Sequence, residues 1–215
     1  MRLAELSERS GVSTATIKYY LREGLLPPGV QVNATTAEYD EEHLRRLRLV
    51  RAMIQVGRVP VATVREVLGH VDDDSLPRAI RLGAAVWALP QVPEPDADDE
   101  FVQAAHQEVT ALLDQLGWQN AKRLTSLSPA YRSLVVGVAA LRRLGYDFGT
   151  ELLTPYAELM YRTAVLDLDN MEAHSSQQEE QIEFAILGAI LNEPVLQALH
   201  RLAQEEETTR RYGFE

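Results

Sequence analysis

The 215-residue chain contains no cysteine. That one absence excludes disulfide bonds, thiolate-bound zinc or copper, iron–sulfur clusters and thiol redox sensing. Long apolar runs are missing as well. The longest, residues 134–141, falls far short of the ~20 residues of a membrane span. The N-terminal Met1-Arg2-Leu3-Ala4-Glu5 places charges inside any apolar segment and carries no small-residue cleavage pattern, so the expectation is a cytoplasmic protein without a membrane partner. No phosphate loop, dinucleotide fingerprint or nucleophile motif occurs, which speaks against an enzyme and against a cofactor. His106 and His174 are isolated and lack a His-x₃-His partner, so no metal site is expected.

What the chain does contain is ordinary for a soluble protein, with 46% hydrophobic and 25% charged residues. Its net charge of −11 is distributed unevenly. Residues 1–70 carry ten Lys/Arg and eight Asp/Glu, a net of +2, whereas residues 71–215 carry a net of −13. Two regions with different partners are implied. Residues 90–99 (PQVPEPDADD) are proline-spaced and acidic and read as a linker.

Apolar spacing predicts a mainly α protein. A first helix spans Leu3 to Ser10, with Leu3, Leu6 and Val12 inward and Gly11 as its stop. Ser13 caps a second helix, Thr14 to Glu23, whose apolar face is Ile17, Tyr20 and Leu21. Pro27-Pro28 prevents its continuation. Residues 30–39, with Val30, Val32 and Tyr39, read as a short hairpin. Asp40 then caps a helix to Val56 carrying Leu44, Leu47, Val50 and Ile54, and Gly57 closes it. Pro60 opens a further helix through Val64, Val67 and Leu68 to Gly69. A helix over 75–89 precedes the linker, and helices follow over about 100–116, 128–144, 151–168, 176–191 and 194–210.

Helix, glycine turn and serine-capped helix form a helix-turn-helix pattern. The run Thr16-Ile17-Lys18-Tyr19-Tyr20, then Arg22-Glu23-Gly24-Leu25-Leu26-Pro27, then Tyr39-Asp40 before a helix with Leu44 and Leu47, closely resembles the MerR family across residues 1–70. The resemblance implies a winged helix-turn-helix homodimer on a palindromic element of double-stranded DNA. It also implies underwinding of the promoter spacer, so that RNA polymerase engages both recognition elements.

With Ile17, Tyr20 and Leu21 in the core, Thr14, Ala15, Lys18, Tyr19 and Arg22 fall on the opposite face, with Thr16 beside them. Small side chains at the helix start allow close approach to bases, and the cations further along suit phosphates. The resemblance adds Thr36 and Tyr39 of the wing, with Thr35 beside them, and Arg45 and Arg46 of the next helix as phosphate contacts. Adjacent arginines diverge by about 100°, so only part of the run Arg45, Arg46, Arg48 can face one way. Such a run is equally a solvated face. Many relatives carry arginine where this chain has Glu38, and a carboxylate there weakens phosphate binding.

The 75–89 helix carries Leu76, Ile80, Ala84 and Trp87 at three- and four-residue spacing, and the family pairs this helix with its twin. The candidate ligand residues are Trp118, Tyr156, Met160, Tyr161 and His174, although aromatics at helical spacing are more often core. Glu179, Glu180 and Glu183 read as a solvated face. The expected organisation is therefore a winged helix-turn-helix domain (1–70), a dimerisation helix and linker (71–99) and an all-helical bundle (100–215). The expected function is a dimeric transcriptional regulator answering to an organic ligand. The alternative is an autoregulated, drug-sequestering protein whose DNA-binding part controls only its own supply.

Overall fold

The computed structural model describes residues 1–33, 36–77, 80, 81, 83, 87, 92–174 and 177–213. The chain forms two compact units, one comprising Met1–Leu89 with His174–Glu215 and the other Pro90–Ala173.

In the first unit, helix α1 (Leu3–Ser10) ends at Gly11, whose φ of 65° requires the left-handed conformation that glycine adopts without steric penalty. Helix α2 (Thr14–Arg22) begins at Ser13. Strands β1 (Val30–Asn33) and β2 (Thr36–Glu38) pair antiparallel, with Val30 opposite Glu38 and Gln31 opposite Ala37. Helix α3 (Glu41–Arg51) widens into a π-helical turn over Ala52–Val56, and α4 covers Val61–Val71 after Pro60. The core gathers Leu6, Ile17, Leu44, Leu47, Val50, Met53, Val64 and Val67, each at most 2% exposed. These are largely the positions that apolar spacing selects.

The second unit contains α5 (Glu100–Gln115), α6 (Gln119–Arg123), α7 (Pro129–Arg143) and α8 (Thr150–His174), the last of which ends at the boundary of the first unit. Asp99 and Ser128 cap α5 and α7 through their side-chain oxygens. Val102, Ala105, Val109 and Leu112 of α5 pack on Val135, Val138 and Ala139 of α7, with Leu153 of α8. Around that core Arg142 pairs with Glu108 at 2.8 Å, and the Tyr131 hydroxyl meets His106 at 3.0 Å and Thr110 at 3.2 Å.

The last segment departs from expectation. In place of two helices meeting at Pro194 there is one, α9, over Gln178–Tyr212, with Pro194 inside it. Nor does α9 cluster with residues 90–173. It belongs to the unit containing the helix-turn-helix, where Ile182, Ile186 and Ile190 enter the core with Leu44 and Met53. Each such isoleucine contributes roughly 1.5–3 kcal/mol by leaving water. The approach is close: a Cβ on Gly57 would lie 2.8 Å from Ile190 Cγ2 and 3.0 Å from the Met53 carbonyl oxygen. Gly57 itself has φ −73°, and the left-handed residue at this corner is Arg58, at 52°. The Glu180–Tyr212 stretch is long and apolar enough to cross a membrane by length and composition, yet its isoleucine stripe is part of this core.

Candidate nucleic-acid interface

The recognition helix is fixed at its start by a side chain. The Ser13 hydroxyl accepts the Thr16 amide at 3.1 Å and shares a hydrogen bond with the Thr16 hydroxyl at 2.8 Å. Behind it, Ile17 and Tyr20 are buried and Leu21 packs partly into the core. Burial, reinforced by the neighbouring Tyr19, pushes the Tyr20 hydroxyl above the ordinary phenol range. With that face committed, Thr14, Ala15, Lys18 and Arg22 are exposed, and Thr16 and Tyr19 are half-exposed. The Arg22 guanidinium lies over the Tyr19 ring, 5.4 Å from its centroid. Lys18 makes no hydrogen bond or ion pair among the described residues, so its ammonium is free to meet an anion. Five of the six α2 residues selected from the sequence thus share one accessible surface, and the sixth, Thr16, contributes its hydroxyl to the cap.

The wing is anchored at its base. Met1 and Tyr39 exchange two hydrogen bonds, the terminal ammonium to the Tyr39 carbonyl at 2.6 Å and the Tyr39 amide to the Met1 carbonyl at 2.8 Å. Gly29 is needed here, because a Cβ on it would lie 2.7 Å from the Glu38 carbonyl oxygen and 2.9 Å from the Tyr39 ring. Thr36 is half-exposed and Glu38 is exposed. Tyr39 instead turns inward, 8% exposed, with its ring edge-on to His43 at 5.2 Å. Its expected role at the DNA surface gives way to a core role. Thr35 lies outside the described residues. The feature that sequence reasoning missed is apolar: Val30 and Val32 are 70% and 56% exposed.

Helix α3 starts at a capping box. The Asp40 carboxylate accepts the His43 amide at 3.1 Å, and the His43 ring meets that carboxylate at 2.7 Å and the Asp40 amide at 3.3 Å. The hydrogen bond to the His43 side chain, followed by that to its amide, holds the Asp40 carboxyl below its usual range. Arg9 of α1 forms a two-pronged pair with Glu41 at 2.5 and 2.9 Å, tying the two helices together.

The arginine run on α3 divides three ways. Arg46 is 9% exposed and bonded to Asp72, just beyond α4. Its expected phosphate contact is therefore corrected: position 46 lies on the same face as Leu47 and Val50, and its charge is spent inside the fold. Arg45 is half-buried and pairs with Glu180 of α9 at 3.3 Å. Arg48 is exposed and makes no hydrogen bond or ion pair among the described residues, although the Glu41 carboxyl, held below its usual range chiefly by Arg9, also feels its charge. It is the member of the run that presents a cation without a salt bridge, one helical turn on from Arg45.

Of the other selected sets, that for dimerisation is less completely described. Leu76 and Trp87 are half-buried and Ile80 is 48% exposed, while Ala84 lies outside the described residues. Beside them Arg81, not selected, is buried, bonded to the Val71 carbonyl and paired with Asp74 at 3.0 Å. Of the ligand candidates, Tyr156, Met160 and Tyr161 are exposed along α8. Tyr161 approaches Trp118, with ring centroids 6.0 Å apart, and Tyr156 stacks on Phe148 at 6.3 Å. His174 falls in the other unit, against Phe184. Glu180 and Glu183, read as a solvated face, instead turn towards α3.

A capped helix pair, an accessible recognition face and a two-stranded wing define a winged helix-turn-helix DNA-binding unit. Residues 1–70 match the MerR HTH family regulatory protein family. The chain is 32% identical over 116 residues to the heavy metal-dependent transcription regulator 2 of Rhizobium meliloti (strain 1021), covering 54% of this chain and 74% of that protein. It is 32% identical over 57 residues to the HTH-type transcriptional regulator AdhR of Bacillus subtilis (strain 168), covering 26% of this chain. The chain spans 41% of the length of that relative. A crystal structure of SCO5550 from Streptomyces coelicolor A3(2), a candidate transcriptional regulator, superposes over 100% of this chain and 99% of that one, with TM-score 0.87 and 66% identity. The chain belongs to the MerR family of DNA-binding regulatory proteins, and its relatives are transcriptional regulators rather than enzymes.

Proposed function

We propose that this protein is a cytoplasmic, dimeric transcriptional regulator that reads an inverted repeat in a promoter and changes its action when a small organic ligand binds. The observation that carries the DNA reading is the outer face of α2. Small residues Thr14 and Ala15 stand at its exposed N-terminal end, and the unpaired Lys18 and the Arg22–Tyr19 stack follow along it. That order suits a helix that enters the major groove by its N-terminus, with small side chains for close approach to bases and cations for the flanking phosphates. Thr36 of the wing extends the contact surface, while Glu38 limits what the wing contributes.

The two-fold symmetry of an inverted repeat calls for a two-fold protein. The Leu76–Ile80–Trp87 side of the segment after α4 is the proposed pairing surface, and RNA polymerase is the proposed downstream partner. The metals named for relatives do not carry over, because a chain without cysteine offers no thiolate to a soft metal.

Footprinting on the DNA upstream of the gene's own operon tests this reading, alongside sedimentation equilibrium of the free protein. A protected inverted repeat and a dimer are expected. A monomer, or no protected repeat, would overturn it.

A further inference from the structure

Helices α3 and α9, with His174, line an open pocket of about 290 Å³ within the first unit. Both signs of charge meet in this small space: Arg45 and Arg48 come from α3, and Glu180 and Glu183 from α9. Between them the wall is apolar, made by Leu49, Leu187 and Phe184. The His174 ring lies against Phe184 with centroids 4.7 Å apart.

The charges do not simply cancel in pairs. Glu180 takes one terminal nitrogen of Arg45 at 3.3 Å, but the Arg45 Nε is buried without a hydrogen-bond partner. Arg48 makes no hydrogen bond or ion pair among the described residues, its charge being felt by the exposed Glu41. Glu183 is half-buried and likewise makes no ion pair there. Burial raises its carboxyl above the ordinary range, with Arg45 and Arg46 opposing the rise and Glu42 and Glu180 adding to it. Desolvated polar groups left unpaired are costly, and a ligand that pairs them recovers that free energy on binding. A space with donors on one wall, an acid on the other and apolar side chains between them is complementary to a molecule with both charges and an apolar body. Its volume is at the small end of ligand sites, ~300 Å³, which suits a metabolite rather than a drug-sized compound.

We propose that this pocket binds a free amino acid with an apolar or aromatic side chain. The carboxylate meets Arg48, the ammonium meets Glu183, and the side chain lies against Leu49, Leu187 and Phe184. The proposal names the effector class for the regulator reading and rests on that reading for its consequence: a ligand here sits directly on α3, the helix that joins the wing to the rest of the unit.

Isothermal titration of the full-length protein without DNA tests it, using L-leucine, L-phenylalanine and L-tryptophan separately. Phenethylamine and 3-phenylpropanoate serve as probes that lack one of the two charges. At least one amino acid is expected to bind saturably at one site per chain. The single-charge analogues, and the amino acid on the Arg48→Ala and Glu183→Gln variants, are expected to bind about tenfold weaker or worse, the loss of one charge-assisted hydrogen bond. Arg48 is exposed and unpaired, so its variant tests the site without threatening the fold. No saturable binding of any of the three amino acids at millimolar concentration would overturn the assignment. So would equal binding of either analogue, or unchanged affinity in either variant. Because no DNA is present, failure here leaves operator recognition to be decided by the footprint alone.

Discussion

One serine hydroxyl decides where the recognition helix begins. Ser13 satisfies an amide that would otherwise lack an intrahelical partner. Ser13→Ala is expected to lower stability by about 1 kcal/mol in urea unfolding, and an unchanged midpoint would show that water caps the helix equally well. The cap was legible in the sequence because a serine after glycine and before an apolar-periodic run has few other local roles. The fates of the α3 arginines were not. Arg45, Arg46 and Arg48 look alike in sequence, and only the position of Asp72 after α4 and of Glu180 on α9 distinguishes a buried pair, a bridged cation and a free one. Glu183 carries a pH signature. Its carboxyl is raised in the fold mainly by burial, so its contribution is fully present below the unfolded pKa and is lost as pH rises through the folded value. Glu183→Gln is therefore expected to melt higher than the wild type near pH 7, with the difference closing towards about pH 4. Melting curves across that range check it, and a variant less stable at neutral pH would contradict the assigned cause.

At the scale of elements, α9 is where local pattern and global packing part. Isoleucines at 182, 186 and 190 announce a buried helix face, and that much could be read. Which surface they bury could not, since periodicity specifies a face and not its partner. Proximity in sequence favoured the neighbouring helices of residues 100–173, whereas the stripe completes the core under α3. Pro194 misled for a related reason: proline is at home in a first helical turn, yet here it sits inside one continuous helix. Ile186 is fully buried, so Ile186→Ala is expected to lower stability by roughly 2–5 kcal/mol. Chemical denaturation of the whole protein measures it, and a loss below about 0.5 kcal/mol, the range of ordinary surface substitutions, would show that α9 does not share this core. Two of the expected helices of the second unit followed the sequence closely, whereas the short helix Gln119–Arg123 was not expected and the 75–89 helix falls largely outside the described residues. The helices expected near 100–116 and 128–144 are α5 and α7, bounded by the caps Asp99 and Ser128.

Across the whole molecule, the charge division remains meaningful once α9 is reassigned. The first seventy residues carry a net +2 on an otherwise acidic chain, and they hold the surface on which Lys18 and Arg22 stand. Acidic regions elsewhere raise the solubility of the chain and repel nucleic acid from other faces, which favours docking through one surface. That surface was nearly complete in the sequence, because helix periodicity alone determines which side of α2 is left over once Ile17 and Tyr20 are buried. The wing was less legible, because its strands are short and its exposed valines carry no charge pattern. The account's central claim is that the outer face of α2 lies on DNA. Fluorescence anisotropy of the operator duplex, titrated across a salt series with wild-type protein and Lys18→Ala, tests it directly. Loss of one phosphate contact is expected to weaken binding and reduce the log–log salt slope by about 1, whereas an unchanged affinity and slope would place the DNA on another surface.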